Sequence, residues 1–211
     1  MPYEFLQSPW GGVFWIFAVI AALTFHEFFH ALVAYSLGDQ TPKDEGRVTL
    51  FPFPHIDPLG FFLLLFFGFG WAKPVRFEPD NLKSRRFGST LVAFAGPIAN
   101  GIFFILTLAA AKLIESFFGG KMPLDAVIFF KSLLVINTLL FVVNFIPLPP
   151  FDGSKLLLDL LQIMHLDKIK NFLQINGQYV AVALMALDSF VGPGLISHLV
   201  FGAISWADKL I

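Results

Sequence analysis

Long apolar segments constrain the fold of this chain more than any other feature of its sequence. A hydrocarbon core about 30 Å thick is crossed by about 20 apolar residues in a helix. Such segments occupy 11–37, roughly 87–118 and 125–147, and a fourth lies at about 176–191. Charged residues make up only 14% of the chain, too few to cover a globular surface. The sequence therefore predicts an all-α polytopic membrane protein with four or more transmembrane helices.

A shorter apolar run at 59–71 does not fit this pattern. Its 13 residues would reach only about 20 Å as a helix, and Gly68 and Gly70 weaken a helix further. We expect a re-entrant or interfacial segment whose backbone is covered by other helices; a bent span is the alternative. The Gly-Pro-Gly sequence at 192–194 should end the fourth span, and the sequence leaves the topology of 192–211 open.

Two short stretches indicate extended structure in the long connection after the first span. Residues 47–51 (RVTLF) and 74–78 (PVRFE) alternate polar and apolar side chains and are bounded by Pro or Gly. They predict a small cytoplasmic β-sheet. We find no internal repeat or low-complexity tract, so we expect residues 1–211 to form a single membrane-embedded domain.

The distribution of basic residues predicts the orientation of the chain. The loops 38–86 and 150–175 together carry 10 of the 14 Lys and Arg residues, whereas the connection at 119–124 carries only Lys121. Because basic loops remain on the cytoplasmic side, these two loops should be cytoplasmic and the N-terminus outside. The net charge of −1 gives no indication of a nucleic-acid partner.

Residues 26–30 read HEFFH and lie inside the first apolar segment. Positions i and i+4 share a helix face, so His26 and His30 can bind one metal ion. Glu27 is offset by about 100° and can reach a water there, as in the H-E-x-x-H motif of zinc proteases, where it acts as general base. Chance packing of two histidines is the alternative. Ionisable residues are costly at membrane depth, which favours the metal site.

The chain has no cysteine, so a third ligand must be His, Asp or Glu. The proline-rich stretch 144–153 (NFIPLPPFDG) cannot continue as regular helix, and it can return the Asp152 carboxylate to the metal. The alternative for Asp152 is an N-cap of a helix over 153–164. Asn144 can stabilise an oxyanion, or form an ordinary interhelical hydrogen bond. His55 is a candidate gate or extra ligand, or a partner of Asp57 or a backbone carbonyl.

Together, HEFFH and NFIPLPPFDG resemble the site-2 protease family of intramembrane zinc metalloproteases. FAGPIANGI (94–102) resembles that family's glycine-proline-asparagine signature, and GRVTLFPFPHIDPLG (46–60) resembles a segment of its small prokaryotic members. Many members of that family carry a PDZ domain, but no segment here is long enough for one, so we expect a minimal enzyme. The resemblance implies Zn²⁺ as cofactor. It implies His26, His30 and Asp152 as zinc ligands and Glu27 as the catalytic base. Asn144 would then hold the substrate or the tetrahedral intermediate.

The expected activity is zinc-dependent hydrolysis of peptide bonds within or near transmembrane segments, as in regulated intramembrane proteolysis. The expected partners are a transmembrane or signal-peptide substrate and the lipid bilayer, with the active site nearer the cytoplasmic face of the cell membrane. A metal transporter or sensor is the first alternative; it would need a line of intramembrane acids, and the outer side offers none. An inactive scaffold is the second. The sequence leaves the oligomeric state, the trigger and the cleavage preference open.

Overall fold

A computed structural model describes residues 8–67, 71–84, 87–190 and 194–211. Its α-helices, in chain order, are α1 (Gly11–Ser36), α2 (Thr41–Asp44), α3 (Pro58–Phe67), α4 (Gly88–Phe117), α5 (Leu124–Asn144), α6 (Ser154–Ile163), α7 (Asp167–Phe190) and α8 (Leu195–Asp208).

Three of these helices confirm predicted membrane spans. Among the described residues, α1, α4 and α5 are long and apolar enough to cross a membrane, at 26, 30 and 21 residues. They pack against one another, and small side chains line the contacts. Ala18, Ala22 and Ala31 of α1 are fully buried, as is Ala99 of α4. Small residues let membrane helices approach closely where lipid removes the hydrophobic driving force.

The fourth predicted span is not confirmed as a span. It falls in α7, which ends at Phe190, but α7 does not reach the hydropathy of the other three helices. The first half of α7 carries Asp167, Lys168 and Lys170, so only its second half is strongly apolar. Residues 191–193, including most of the predicted helix-ending Gly-Pro-Gly, lie outside the described residues. Helix α8 follows and packs against α5.

The short apolar run forms α3, a helix of 10 residues. At 1.5 Å per residue it reaches about 15 Å, half of what a bilayer core requires. Over the described residues it is therefore too short to cross as a helix, and its re-entrant placement stays a prediction. Gly68 and Gly70 lie outside the described residues.

The predicted β-sheet does not form: in the described part of the chain the pairing is a single bridge between Ile56 and Ala72. The amides that a ladder would use are bound elsewhere. Val75 N–H donates to Glu27 and Glu78 N–H donates to Asp39, so neither amide is available to a neighbouring strand. In 47–51, the Arg47 side chain is 2% exposed and points inward rather than toward a facing strand.

The loop after α5 places Asp152 next to the membrane helices. The N–H of Gly153 donates to the carbonyl of Asn144 at 2.7 Å, which closes the loop on the end of α5. A Cβ at Gly153 would lie 2.7 Å from the Phe145 carbonyl oxygen and 2.8 Å from that of Ile146. The close approach requires glycine at 153, directly after Asp152, before α6 begins.

Candidate metal centre

Three potential ligands from two distant parts of the chain meet at one point. The Nε2 atoms of His26 and His30 are 2.9 Å apart, and Asp152 Oδ2 lies 3.1 Å from the first and 3.3 Å from the second. All three ligand atoms lie within 4.8 Å of one another. Both histidines are buried, and the Asp152 side chain is 24% exposed. Asp152 therefore lies beside the two histidines, as the sequence analysis expected.

A chain of hydrogen bonds fixes the tautomer of His26. The Nδ2 of Asn100 faces the Ala22 carbonyl at 3.2 Å and the Asn137 Oδ1 at 2.9 Å. A carbonyl can only accept, so Asn100 Nδ2 donates and its Oδ1 must face His26. The His26 Nδ1 lies 2.6 Å from that Oδ1 and must donate to it. A neutral His26 therefore presents its Nε2 as a lone pair.

The tautomer of His30 follows from a backbone contact. Its Nδ1 lies 2.7 Å from the carbonyl oxygen of Val92 and donates to it. His30 Nε2 is then also a lone pair, and Asp152 Oδ2 is buried without a hydrogen-bond partner. When both imidazoles are neutral, three electron-pair donors thus face one another with no proton between them. A metal cation bound at this point would relieve their mutual repulsion.

The dimensions of the cluster fit a tetrahedral zinc ion. With zinc–ligand bonds of about 2.0–2.1 Å, ligand atoms in such a site lie about 3.3–3.4 Å apart. The separations here are 2.9, 3.1 and 3.3 Å, so a small outward movement would accommodate the ion. Two imidazoles and one carboxylate also form a set used by catalytic zinc, which keeps its fourth position open.

Helix α4 packs directly against this cluster through Gly96. A Cβ there would lie 2.4 Å from His30 Nε2 and 2.7 Å from His26 Cε1. No side chain larger than hydrogen fits without moving the histidines. The glycine of the FAGPIANGI segment therefore allows α4 to approach the metal-facing edges of both rings.

Glu27 lies beside the cluster and outside the group of three ligands. Its side chain is 10% exposed. Its Oε2 accepts a hydrogen bond from the N–H of Val75 at 3.2 Å and lies 3.9 Å from Arg47 Nη2. The carboxylate is thus held by the loop between α3 and α4, and Arg47 approaches it from the loop between α2 and α3.

The observed hydrogen bond of Asn144 does not connect it to the three potential ligands. Its Nδ2 donates to the carbonyl of Leu140, one turn earlier in α5, at 3.0 Å. The side chain is partly buried and bonds back onto its own helix, which is the ordinary behaviour of a helical amide.

His55 is likewise outside the group of three ligands. It is fully buried, and its Nε2 donates to the Thr49 carbonyl at 2.8 Å. Of the alternatives for His55, this contact is a bond to a backbone carbonyl, whereas Asp57 instead accepts from the N–H of Gly60. Burial, with the nearby Arg47 guanidinium, holds the pKa of His55 below its ordinary value.

Sequence reasoning did not identify three groups beside the site. Asn137 supports Asn100 from α5, and Arg47 and the Val75 amide contact Glu27. Their partners are 20 to 48 residues away along the chain, so no local motif marks them. An arginine in a loop is usually solvated, and a backbone amide leaves no trace in the sequence at all.

Comparisons with known proteins agree with this geometry. The profile described as peptidase family M50 matches residues 112–187, which include Asp152. The zinc metalloprotease YwhC of Bacillus subtilis is 41% identical over 150 residues, covering 69% of this chain and 68% of that protein. The chain belongs to peptidase family M50, the site-2 protease family. It is therefore a zinc-dependent metalloprotease.

More distant M50 relatives extend the match along the chain. The zinc metalloprotease Rip2 of Mycobacterium tuberculosis is 29% identical over 197 residues, covering 89% of this chain and 70% of that protein. Rip2 of Mycolicibacterium smegmatis is 29% identical over 143 residues, covering 64% of this chain and 52% of the relative. No solved structure matches this M50 peptidase significantly.

Proposed function

We propose that this M50 peptidase is an intramembrane endopeptidase that hydrolyses peptide bonds within or near transmembrane segments of membrane-protein or signal-peptide substrates. One observation carries the proposal. The paired histidines lie inside α1, a helix of membrane-span length, and Asp152 meets them there. A soluble peptide would have little access to such a place, whereas a substrate helix in the same bilayer can approach it laterally.

His26, His30 and Asp152 are the proposed zinc ligands. The hydrogen bonds of Asn100 and Val92 to the two Nδ1 atoms keep both imidazoles in the tautomer that binds a metal. When bound, zinc supplies Lewis acidity that polarises a scissile carbonyl and lowers the pKa of a water molecule.

Glu27 is the proposed general base. It follows His26 directly in α1, so its carboxylate is offset by about 100° from the metal-facing edge. There it can take the proton from the attacking water and later deliver it to the departing amine. Its burial removes competing solvent from this transfer.

Asn144 is proposed to hold the substrate or the developing oxyanion. For this, its amide must exchange the bond to the Leu140 carbonyl for a bond to the substrate. His55 is proposed as a gate or an additional ligand: its Nε2 donates to the Thr49 carbonyl, whereas its buried Nδ1 has no hydrogen-bond partner among the described residues.

The substrate must unwind before it is cut. Peptide bonds in a helix are engaged in internal hydrogen bonds and lie too close to the helix axis for attack, so the cleavage site must become extended. We propose that segments with helix-weakening residues are favoured. We further propose that cleavage occurs nearer the cytoplasmic face, because the loops after α1 and α5 carry most of the basic residues.

Replacing Glu27 with Gln tests this mechanism. Purified variant and parent are reconstituted in liposomes with a fusion protein whose single transmembrane helix comes from a remnant signal peptide. Glu27→Gln should retain zinc, because Glu27 is not a ligand, but lose at least about 100-fold in cleavage rate. Glu115→Gln, a change in an acid on α4 that pairs with Lys112, is the matched control. A Glu27→Gln enzyme that cleaves at the parental rate would refute the assignment.

A further inference from the structure

Arg47 is a buried cation beside the proposed active site. It is 2% exposed, and a buried guanidinium must be paired because desolvation of a charge is costly. One of its terminal nitrogens donates to the carbonyl of Pro54 and the other to the carbonyl of Lys73. The second, Nη2, also lies 3.9 Å from Glu27 Oε2.

These contacts join two loop segments that otherwise share few bonds. Residues 54–56 and 72–73 meet at the Ile56–Ala72 bridge and through the Lys73 N–H, which donates to the His55 carbonyl at 2.9 Å. The planar fork of Arg47 spans both segments at once. A lysine ammonium is a single point and cannot reproduce this geometry.

The joined segments reach Glu27 two residues further on. Val75 N–H donates to Glu27 Oε2 at 3.2 Å, and the Arg47 guanidinium approaches the same oxygen. Both contacts therefore engage Oε2. A carboxylate held in this way has one oxygen fixed by the loop, while the orientation of the other follows from it.

We propose that Arg47 is a positioning residue and that the Val75 N–H is the group through which it acts on Glu27. Arg47 fixes 72–75 so that the Val75 amide holds Oε2, which leaves Oε1 for proton transfer with the attacking water. We call Arg47, the Lys73 carbonyl and the Val75 amide the carboxylate clasp. This inference rests on the proposed role of Glu27 as base.

A purely structural role of Arg47 makes different predictions. If Arg47 only satisfied loop carbonyls, its loss would lower stability, and the folded fraction would still turn over normally. If the clasp were an inhibitory latch, its release would raise the rate. Positioning of the base predicts a fall in kcat at unchanged KM and unchanged zinc affinity, because Arg47 and Val75 contact Glu27 and none of the three proposed ligands.

Val75 offers the sharpest test. Val75→Pro removes the N–H donor that contacts Glu27. Val75→Ala keeps the amide and is the matched control. We expect Val75→Pro to lower kcat roughly 10- to 100-fold, with KM and the zinc content of the purified protein unchanged. Val75→Ala should remain within about twofold of the parent.

Arg47→Met tests whether Arg47 holds the Val75 amide in place. Arg76→Met is the control, because Arg76 is an exposed cation of the same segment. Hydrogen–deuterium exchange of a peptide covering 75–78 should become faster in Arg47→Met and stay unchanged in Arg76→Met, and kcat should fall only in the former. Val75→Pro still decides the matter if Arg47→Met does not fold.

Two results would overturn the clasp: parental kcat in Val75→Pro, or a parental or increased kcat in folded Arg47→Met. Glu27→Gln in the same assay separates the two proposals. If Glu27→Gln is inactive while Val75→Pro is fully active, Glu27 remains the base and the clasp alone is wrong. If Glu27→Gln is active, the proposed function itself fails.

Discussion

The amide side chain of Asn100 connects the packing of three helices to the orientation of one imidazole. It donates to the Ala22 carbonyl of α1 and to Asn137 of α5, and it accepts from His26 Nδ1. All of these groups are buried, so none can exchange its partner for water. Removing a residue that hydrogen-bonds to a metal ligand typically lowers the metal affinity about 10- to 100-fold.

Replacing Asn100 with Ala should therefore weaken zinc binding about 10- to 100-fold without removing a ligand. His26 would lose its acceptor and could adopt the other tautomer, in which Nε2 carries the proton. Zinc affinity is measured by competition with a chelator. Thr107→Val is the control, since Thr107 is buried on the same helix and its hydroxyl has no hydrogen-bond partner. Equal affinities in both variants would contradict the role of Asn100.

At the scale of single residues, the sequence predicted only those site residues that local spacing or the family resemblance marks. His26 and His30 are a single helical turn apart, and Asp152 follows a proline-rich stretch that cannot be helix, so all three stood out. Asn100 lies in the FAGPIANGI segment, to which the sequence analysis gave no role at the site. Its actual partners depend on how α1, α4 and α5 face one another, which no single segment encodes.

At the scale of elements, Asp39 ties the end of α1 to the loop before α4. It is fully buried. It accepts hydrogen bonds from Glu78 N–H, Asn81 Nδ2, and both the N–H and hydroxyl of Thr41. Burial alone would raise the pKa of Asp39, but the bonds from Glu78, Thr41 and Asn81 outweigh it and hold that pKa below its ordinary value of 3.8.

This lowered pKa predicts an acid-sensitive contribution to stability. A carboxyl whose pKa is lower in the folded state stabilises the fold above its unfolded pKa, and loses that contribution as pH falls toward the folded pKa. Asp39→Asn should lower the free energy of unfolding by about 1–3 kcal/mol at neutral pH. Thermal unfolding between pH 7 and pH 3 should show a smaller acid-induced loss in the variant, and an identical loss would contradict the assignment.

Hydrogen bonds between loop amides and distant carboxylates explain why the helices were easier to predict than the sheet. The predicted span 11–37 corresponds to Gly11–Ser36, and 125–147 to Leu124–Asn144, because apolar content over about 20 residues is sufficient to mark a span. The alternation in 74–78 likewise predicted a strand. However, the amides of Val75 and Glu78 bind carboxylates of Glu27 and Asp39, which are remote in sequence.

At the scale of the whole molecule, charge distribution predicts which ends of the helices face the cytoplasm. The absence of cysteine from the chain makes this directly testable with single-cysteine variants and a membrane-impermeant maleimide. Lys121→Cys, between α4 and α5, should be labelled in intact protoplasts. Lys168→Cys, in the first turn of α7, should be labelled only after permeabilisation. The reverse pattern would overturn the proposed orientation and place the site nearer the outer face.

The central claim is that two imidazoles from α1 and one carboxylate from the loop after α5 hold a single zinc ion. Zinc K-edge X-ray absorption of the purified protein tests it most directly. We predict equimolar zinc with two imidazole nitrogens and oxygen ligands at about 2.0–2.2 Å, and loss of most bound zinc in Asp152→Ala. A purified, active protein without zinc, or a spectrum with no imidazole ligands, would contradict the account.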